Sequence, residues 1–426
     1  MKKLLSLTLA LMLALSLGSF ALAEDNVTIT WWAFPTFAQE GDNPAGTYEQ
    51  EVIAAFQEKY PNITVNLETI DFTSGPEKIV SAIEGGTAPD VLFDAPGRIV
   101  EYGKNGKLVK LDDLFTDEFK KDVNNEALIA ACGDGASYWM YPVSSSPFYM
   151  AINYERWQET GALEFVNQEG DRAWTTDSFV KALEKLHEAG QLGGSVFCNG
   201  QGGDQGTRAL VANLYSATIA NDAMTEYTMN SEAGVKGLTL IKDLVDKGWL
   251  EAGTDINGGQ EIELFVSGTT SLVFCWGTSA AKSNAAALEQ GGITPYSLPF
   301  PSDDGVPALE YLVNGFCVFD NGDAARAEAS KTFLKFLCDD EVWGPKNVVQ
   351  TGAFPVRESF GDLYAGNDEY GLLAQFTKYY APYYNTMDGF ANMRTEWWNM
   401  LQSIFTGVKD VETAVNDYVT ASNAGM

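Results

Sequence analysis

The stretch "TYEQEVIAAFQEKYPNITVNL" (Thr47–Leu67) changes its hydrophobic period halfway along. Ile53, Phe56 and Tyr60 recur at helical spacing, and Ile63, Val65 and Leu67 then alternate with polar residues as in a half-buried strand. Pro61 marks the junction, and Thr47 with Gln50 predicts a capping box at the helix start. Upstream, Val27, Ile29 and Trp31 alternate with Thr28, Thr30 and Trp32, which predicts another strand. Strand, helix and strand in this order form a βαβ unit, hence parallel pairing through a right-handed crossover.

The pattern continues outward. Pro76 predicts a helix start, Gly85-Gly86 its stop, and "DVLFD" (Asp90–Asp94) a short buried strand. "FYMAIN" (Phe148–Asn153) reads as a strand, and Trp174-Thr175-Thr176 as the cap of a helix that ends at Gly190. Residues 232–246 and 324–338 read as helices, "TTSLVFCWG" (269–277) as a strand, and two helices close the chain. Three segments read as linkers: "PVSSSP" (142–147), "SLPFPSDDGVP" (297–307) and "TGAFPVR" (351–357). The Gly-rich "CNGQGGDQG" (198–206) lacks the spacing of a nucleotide-binding loop and reads as a plain loop.

The N-terminus has the layout of a secretory leader. Lys2 and Lys3 precede an apolar run from Leu4 to Leu17, and Ala21-Leu22-Ala23 offers a small-x-small cleavage site. The mature chain is expected to begin at Glu24, with no cysteine there to carry a lipid. It is then larger than one core usually supports, so two lobes are expected. A composition 45% hydrophobic and 12% aromatic is that of a globular protein rather than a disordered one. A net charge of −31 argues against nucleic acid or an anionic membrane as partner. The five cysteines are widely spaced without a CxxC, so buried thiols are expected rather than a disulfide framework.

Catalytic readings fail on inventory. The single histidine, His187, lies inside the helical "ALEKLHEAG", and no metal-ligand cluster surrounds it in sequence. "PSDDG" lacks the spaced acidic ligands of a calcium loop. Composition leaves a secreted two-carboxylate glycan-active enzyme open, but nothing locates the pair. A binding protein is the expectation, with no cofactor and no metal.

Several short motifs occur together in a telling order: "ITWWAF" (29–34), "EGGTAPDVLFD" (84–94), "GKLVKLDDL" (106–114), "SSSPFYMAINYERWQETG" (144–161), "WTTDSF" (174–179), "TGAFPVRESF" (351–360) and "FTGVKDVETAVNDY" (405–418). Together they resemble the extracellular solute-binding proteins of carbohydrate ABC importers, the group containing maltose-binding and glycerol-3-phosphate-binding proteins. The resemblance implies an α/β fold of two lobes, periplasmic-binding-protein-like, with hinge crossovers and a ligand cleft between the lobes. It places the first lobe at 24–144 plus 300–350 and the second at 145–299 plus 351–426. It also implies an exported monomer, periplasmic or at the cell surface, that carries a carbohydrate to membrane permease subunits and binds no nucleic acid.

Candidate ligand contacts follow from this frame. Trp31 and Trp32 end the first strand, where ligands of parallel sheets bind, and alternation turns one of them outward. Asp94 ends another strand. Ser145 and Ser146 lie in the expected crossover, where small hydroxyls suit a ligand. Trp276, Gly277 and Thr278 close a second-lobe strand and resemble a ligand-facing turn. Asn314 and Gly315 fall where family members return to the cleft. Arg394 and Trp397 share one stripe of the helix in "NMRTEWWNMLQSIF". By resemblance Arg394 matches a stacking tryptophan in maltose-binding relatives and a phosphate-holding arginine in glycerol-3-phosphate-binding ones. A carbohydrate leads, with glycerol-3-phosphate or an acidic or phosphorylated sugar as the alternative.

Overall fold

A computed structural model describes residues 26–37, 44–71, 74–200 and 202–426, so the predicted leader lies outside the described residues. The alternation at the start of the mature chain becomes β1 (Val27–Ala33), and the strand after Pro61 becomes β2 (Ile63–Thr69). They pair in parallel from Val27 with Ile63 to Ala33 with Thr69, as the βαβ reading requires. The helix between them, Thr47–Lys59, starts differently from expectation. Its N-cap is Gly46 in the left-handed region, without a side-chain cap, and the Thr47 hydroxyl donates backwards to Pro44 O at 2.7 Å. The expected capping box is absent there because a glycine already supplies the turn.

Helix Gly75–Gly85 carries Pro76 in its first turn and ends on left-handed Gly86. It leads to β3 (Val91–Asp94), which pairs with the other side of β1. The remaining strands are β4 (Tyr141–Pro147), β5 (Tyr149–Asn153), β6 (Ser195–Phe197), β7 (Glu251–Gly253), β8 (Leu272–Trp276), β9 (Pro295–Leu298), β10 (Tyr311–Val318) and β11 (Phe354–Pro355). One sheet has the order β11-β4-β10-β3-β1-β2; a second has β8-β5-β9; β6 and β7 form a parallel pair. Each large sheet serves its own core. Trp31, Phe56, Phe93, Phe316 and Phe333 mark the first. Trp157, Trp174, Phe179, Phe265 and Trp397 mark the second. The architecture is two-lobed α/β.

The crossings are tighter than the linkers predicted. The expected linker "PVSSSP" is most of β4, with Ser144 and Ser145 paired to β10 on one side and β11 on the other. Only Phe148 separates β4, in the first sheet, from β5, in the second. The first boundary thus moves from 144 to 147. The return crossing runs from β9 to β10, and both Phe300 and Leu309 still pack in the second core, so that boundary moves from 300 to about Glu310. The third passage is shared between the two cores, with Val348 and Val356 in the first and Phe354 in the second. β11 pairs with β4 of the first sheet, while its Phe354 already packs in the second core, which Leu372, Leu373 and Phe376 of helix Asp368–Phe376 then join.

At the joint the three passages touch. Phe148 N–H donates to Glu310 O at 2.8 Å, Leu309 N–H to Tyr379 O at 2.7 Å, and Ala381 N–H to Leu309 O at 2.9 Å. His187 lies exposed on helix Thr176–Glu188, its ring against Trp249, which fits a packing role. Four of the five thiols are buried and Cys275 is half-buried.

One buried acid in the second lobe does the work of a missing strand. β8 lies at its sheet's edge, and fully buried Glu261 on helix Gly258–Val266 accepts from Phe274 N–H at 2.6 Å and Cys275 N–H at 3.0 Å. Burial pushes its carboxyl up from 4.5 to about 8, against the pull of those two N–H groups. Between the two values the folded chain keeps a proton that the unfolded chain has released, so stability falls as pH rises through that window. The slope is at most about 1.4 kcal/mol per pH unit from this group. Urea unfolding at about pH 5 and about pH 8 should show this fall in the native protein and a smaller one in Glu261→Gln. Equal slopes in both proteins would refute the assignment.

Candidate ligand site between the lobes

A cavity of about 690 Å³ opens where the lobes meet, lined from both sides. The first lobe contributes Arg98, Glu101 and Lys104 from helix Pro96–Lys104. That helix starts at the carboxyl end of β3, with Pro96 fixing its first turn. The second lobe contributes Gln205 and Arg208 from helix Gln205–Leu214, and Phe390 and Arg394 from helix Phe390–Phe405. Phe148 of the joint forms part of the wall.

The charged side chains are anchored in pairs. Asp94 accepts from Arg98 Nε at 2.7 Å and Nη2 at 2.5 Å, and from Ala95 N–H at 2.8 Å. Arg394 donates from Nε at 3.0 Å and Nη2 at 2.7 Å to Asp204, and its guanidinium lies 5.5 Å from the Phe390 ring. Arg208, almost wholly buried, also donates to Asp204, to Glu310 Oε2 at 3.1 Å and to the Tyr384 hydroxyl at 2.7 Å. That hydroxyl donates in turn to Glu310. Burial opposes the Arg208 charge, but Asp204 and Glu310 outweigh it and hold the guanidinium protonated. Burial raises the Glu310 carboxyl against the pull of Arg208 and Tyr384. Across the lobes, Lys104 Nζ meets Asp388 at 2.8 Å and Thr386 O at 3.1 Å.

The sequence profile of the bacterial extracellular solute-binding proteins matches residues 51–389, most of the chain. The chain belongs to this family. A Brucella abortus chain named as a binding protein is 23% identical over 391 residues, 89% of this solute-binding protein and 90% of its relative. The fold is shared with the ABC substrate-binding protein of Listeria monocytogenes in complex with cycloalternan. The TM-score is 0.71 at 19% identity, covering 94% of this chain and 99% of the other. The GacH receptor of Streptomyces glaucescens, solved unliganded and with acarbose, superposes with a TM-score of 0.72 at 17% identity. It covers 93% of this chain and 97% of its own.

Of the residues predicted from sequence, Arg394 lines the cavity of the solute-binding protein. Half-buried Ser146 stands opposite Leu312, another wall residue, in the β4–β10 ladder. Several others belong elsewhere. Trp31 is fully buried, edge-on to Phe316 and Phe333, so it packs the first core. Trp32 is buried on the opposite face beneath Lys78, whose Nζ lies 4.5 Å from its ring centre. Alternation therefore leaves neither tryptophan free, since helices cover both faces of a parallel sheet. Trp397 is buried against Tyr418 and donates to Thr207 Oγ1 at 3.0 Å, and Trp276 packs edge-on to Phe265. Asp94 spends its oxygens on Arg98 and the Ala95 amide, so it positions an arginine.

The other candidates hold the joint. Ser145 is buried and accepts from the Tyr380 hydroxyl at 3.0 Å. Asn314 donates to Ser144 at 3.4 Å, and Gly315 sits where a Cβ would come within 2.4 Å of Tyr141 O, beside a break in register. Gly277 caps helix Thr278–Gly291, and the Thr278 hydroxyl donates to Gly352 O at 3.1 Å, tying that helix to the third crossing.

Sequence reasoning missed Arg98, Asp204, Arg208, Glu310 and Tyr384. A signal existed: Asp204 and Arg208 stand one helical turn apart at the head of the apolar "ALVANL", and Glu310 interrupts "ALEYLVNGFCV". Charges inside runs destined for burial need partners, and these are each other's. Because Trp397 is core, Trp397→Ala should cost about 3–5 kcal/mol in urea unfolding. A loss below about 1 kcal/mol would return this tryptophan to the cleft wall.

Proposed function

We propose that this solute-binding protein is exported, captures a carbohydrate between its lobes and delivers it to the permease of an ABC importer. The observation that carries the reading is the inter-lobe cavity, lined by both lobes and sized for a small ligand. Its wall suits a sugar. Phe148, Tyr383 and Phe390 offer aromatic surface for C–H faces, while Arg98, Gln205 and Arg394 offer donors for hydroxyls. Proteins of the same fold have been solved with cycloalternan and with acarbose. Closure of the lobes about the Phe148–Glu310 joint would bring Arg98 and Arg394 onto opposite edges of one ligand. The second reading, glycerol-3-phosphate or an acidic or phosphorylated sugar, draws on the same two arginines.

Thermal unfolding of the mature protein with neutral mono-, di- and oligosaccharides, uronates and glycerol-3-phosphate tests the reading. A ligand at about a hundred times its dissociation constant stabilises by about 2.7 kcal/mol. A shift with at least one carbohydrate is expected. A protein that responds to none of them, while another class of solute shifts it, is not a carbohydrate receptor.

A further inference from the structure

Each cation on the cavity wall is already held by a carboxylate: Arg98 by Asp94, Lys104 by Asp388, Arg208 by Asp204 and Glu310, and Arg394 by Asp204. Glu101 adds a further negative charge to the wall. The arrangement hinges on Asp204. It is almost fully buried, it alone among these carboxylates pairs with Arg394, and it also pairs with Arg208. Among the described residues, Asp204 and Glu310 stand against the two second-lobe arginines.

That pairing decides what the arginines attract. A free guanidinium fork favours phosphate or carboxylate, which it grips bidentately. A fork whose Nε and Nη2 edge already grips a carboxylate offers an incoming anion a neighbouring like charge instead. A sugar hydroxyl has no such conflict, because it accepts from a guanidinium N–H and donates to a carboxylate oxygen.

We propose that Asp204 is a specificity-determining residue of this cleft: by neutralising Arg394 and Arg208 at the wall, it makes the protein select an uncharged polyhydroxylated ligand and reject phosphorylated or carboxylated ones. This rests on the carbohydrate reading above and settles its charge.

The test compares wild type, Asp204→Asn and the double variant Asp204→Asn/Arg394→Gln by titration calorimetry, with folding checked by circular dichroism. The probes are glucose and maltotetraose, with glucuronate, glucose-6-phosphate and glycerol-3-phosphate as anions. Wild type should bind no anionic probe more tightly than its neutral counterpart. D204N removes one negative charge from beside the two arginines, so it should gain about tenfold or more in affinity for an anionic probe. The double variant removes a positive charge as well and should lose that gain, a reversal that a purely structural role of Asp204 does not produce.

A folded D204N with unchanged preference, or a double variant that keeps the gain, would overturn the proposal. Should D204N not fold, the wild-type comparison of glucose with glucose-6-phosphate and glucuronate decides, and preference for a charged member overturns it. The two readings fail separately. If wild type binds no carbohydrate of either kind, the carbohydrate reading falls, whereas anion binding gained by D204N still measures the role of Asp204.

Discussion

The hydrogen bond from Phe148 N–H to Glu310 O is the point on which the two-lobed arrangement turns. It joins the outgoing crossing to the returning one at the place where both leave the first sheet. Above it, β4 and β10 run antiparallel, from Pro147 opposite Tyr311 to Tyr141 opposite Phe316. Below it, β5 enters the second sheet between β8 and β9. The third passage lies against the same spot through Leu309, Tyr379 and Ala381. Paired passages restrain one another, and gathering all three at one place is the arrangement that a hinge between lobes requires.

The same crossing connects the joint to the cavity. Glu310 gives its carbonyl to Phe148 and its carboxylate to Arg208 and Tyr384, so one residue belongs to both the hinge and the buried charge network. From Arg208 the network passes to Asp204 and then to Arg394 on the wall. Groups of this kind are costly to bury singly and stable only as a set. The wall and the joint are therefore built as one polar unit.

What was legible in the sequence follows from which forces act locally. The β1–helix–β2 unit was readable because alternation and helical spacing report burial of one face at a time. The helix at Thr176–Glu188 was readable because its Thr175 cap is a local hydrogen bond to Ser178 N–H. The serines of β4 read as an irregular linker because small polar residues between prolines interrupt the apolar pattern, whereas here neighbours on both sides of the strand supply the pairing. The tryptophans misled for a related reason. A strand end faces a ligand only if nothing covers it, and the packing of Trp31 and Trp32 is set by residues far away in sequence, Phe316, Phe333 and Lys78 among them. The charge network was illegible as a site, although Arg208 and Glu310 were visible as charges at the edge of or within apolar runs. Pairing partners separated by more than a hundred residues, as Arg208 and Glu310 are, leave no local pattern.

Phe148, standing alone between two strands, also sets a limit on how this molecule can change over time. Strand side chains alternate with period two, so gaining or losing one residue here would turn every side chain of β5 to the opposite face. Tyr149, Met150, Ala151 and Ile152 are all buried, and neither core would accept the exchange unaltered. The outgoing crossing is in effect a fixed-length part. A change in chain length is absorbed more readily by the surface loops of each lobe.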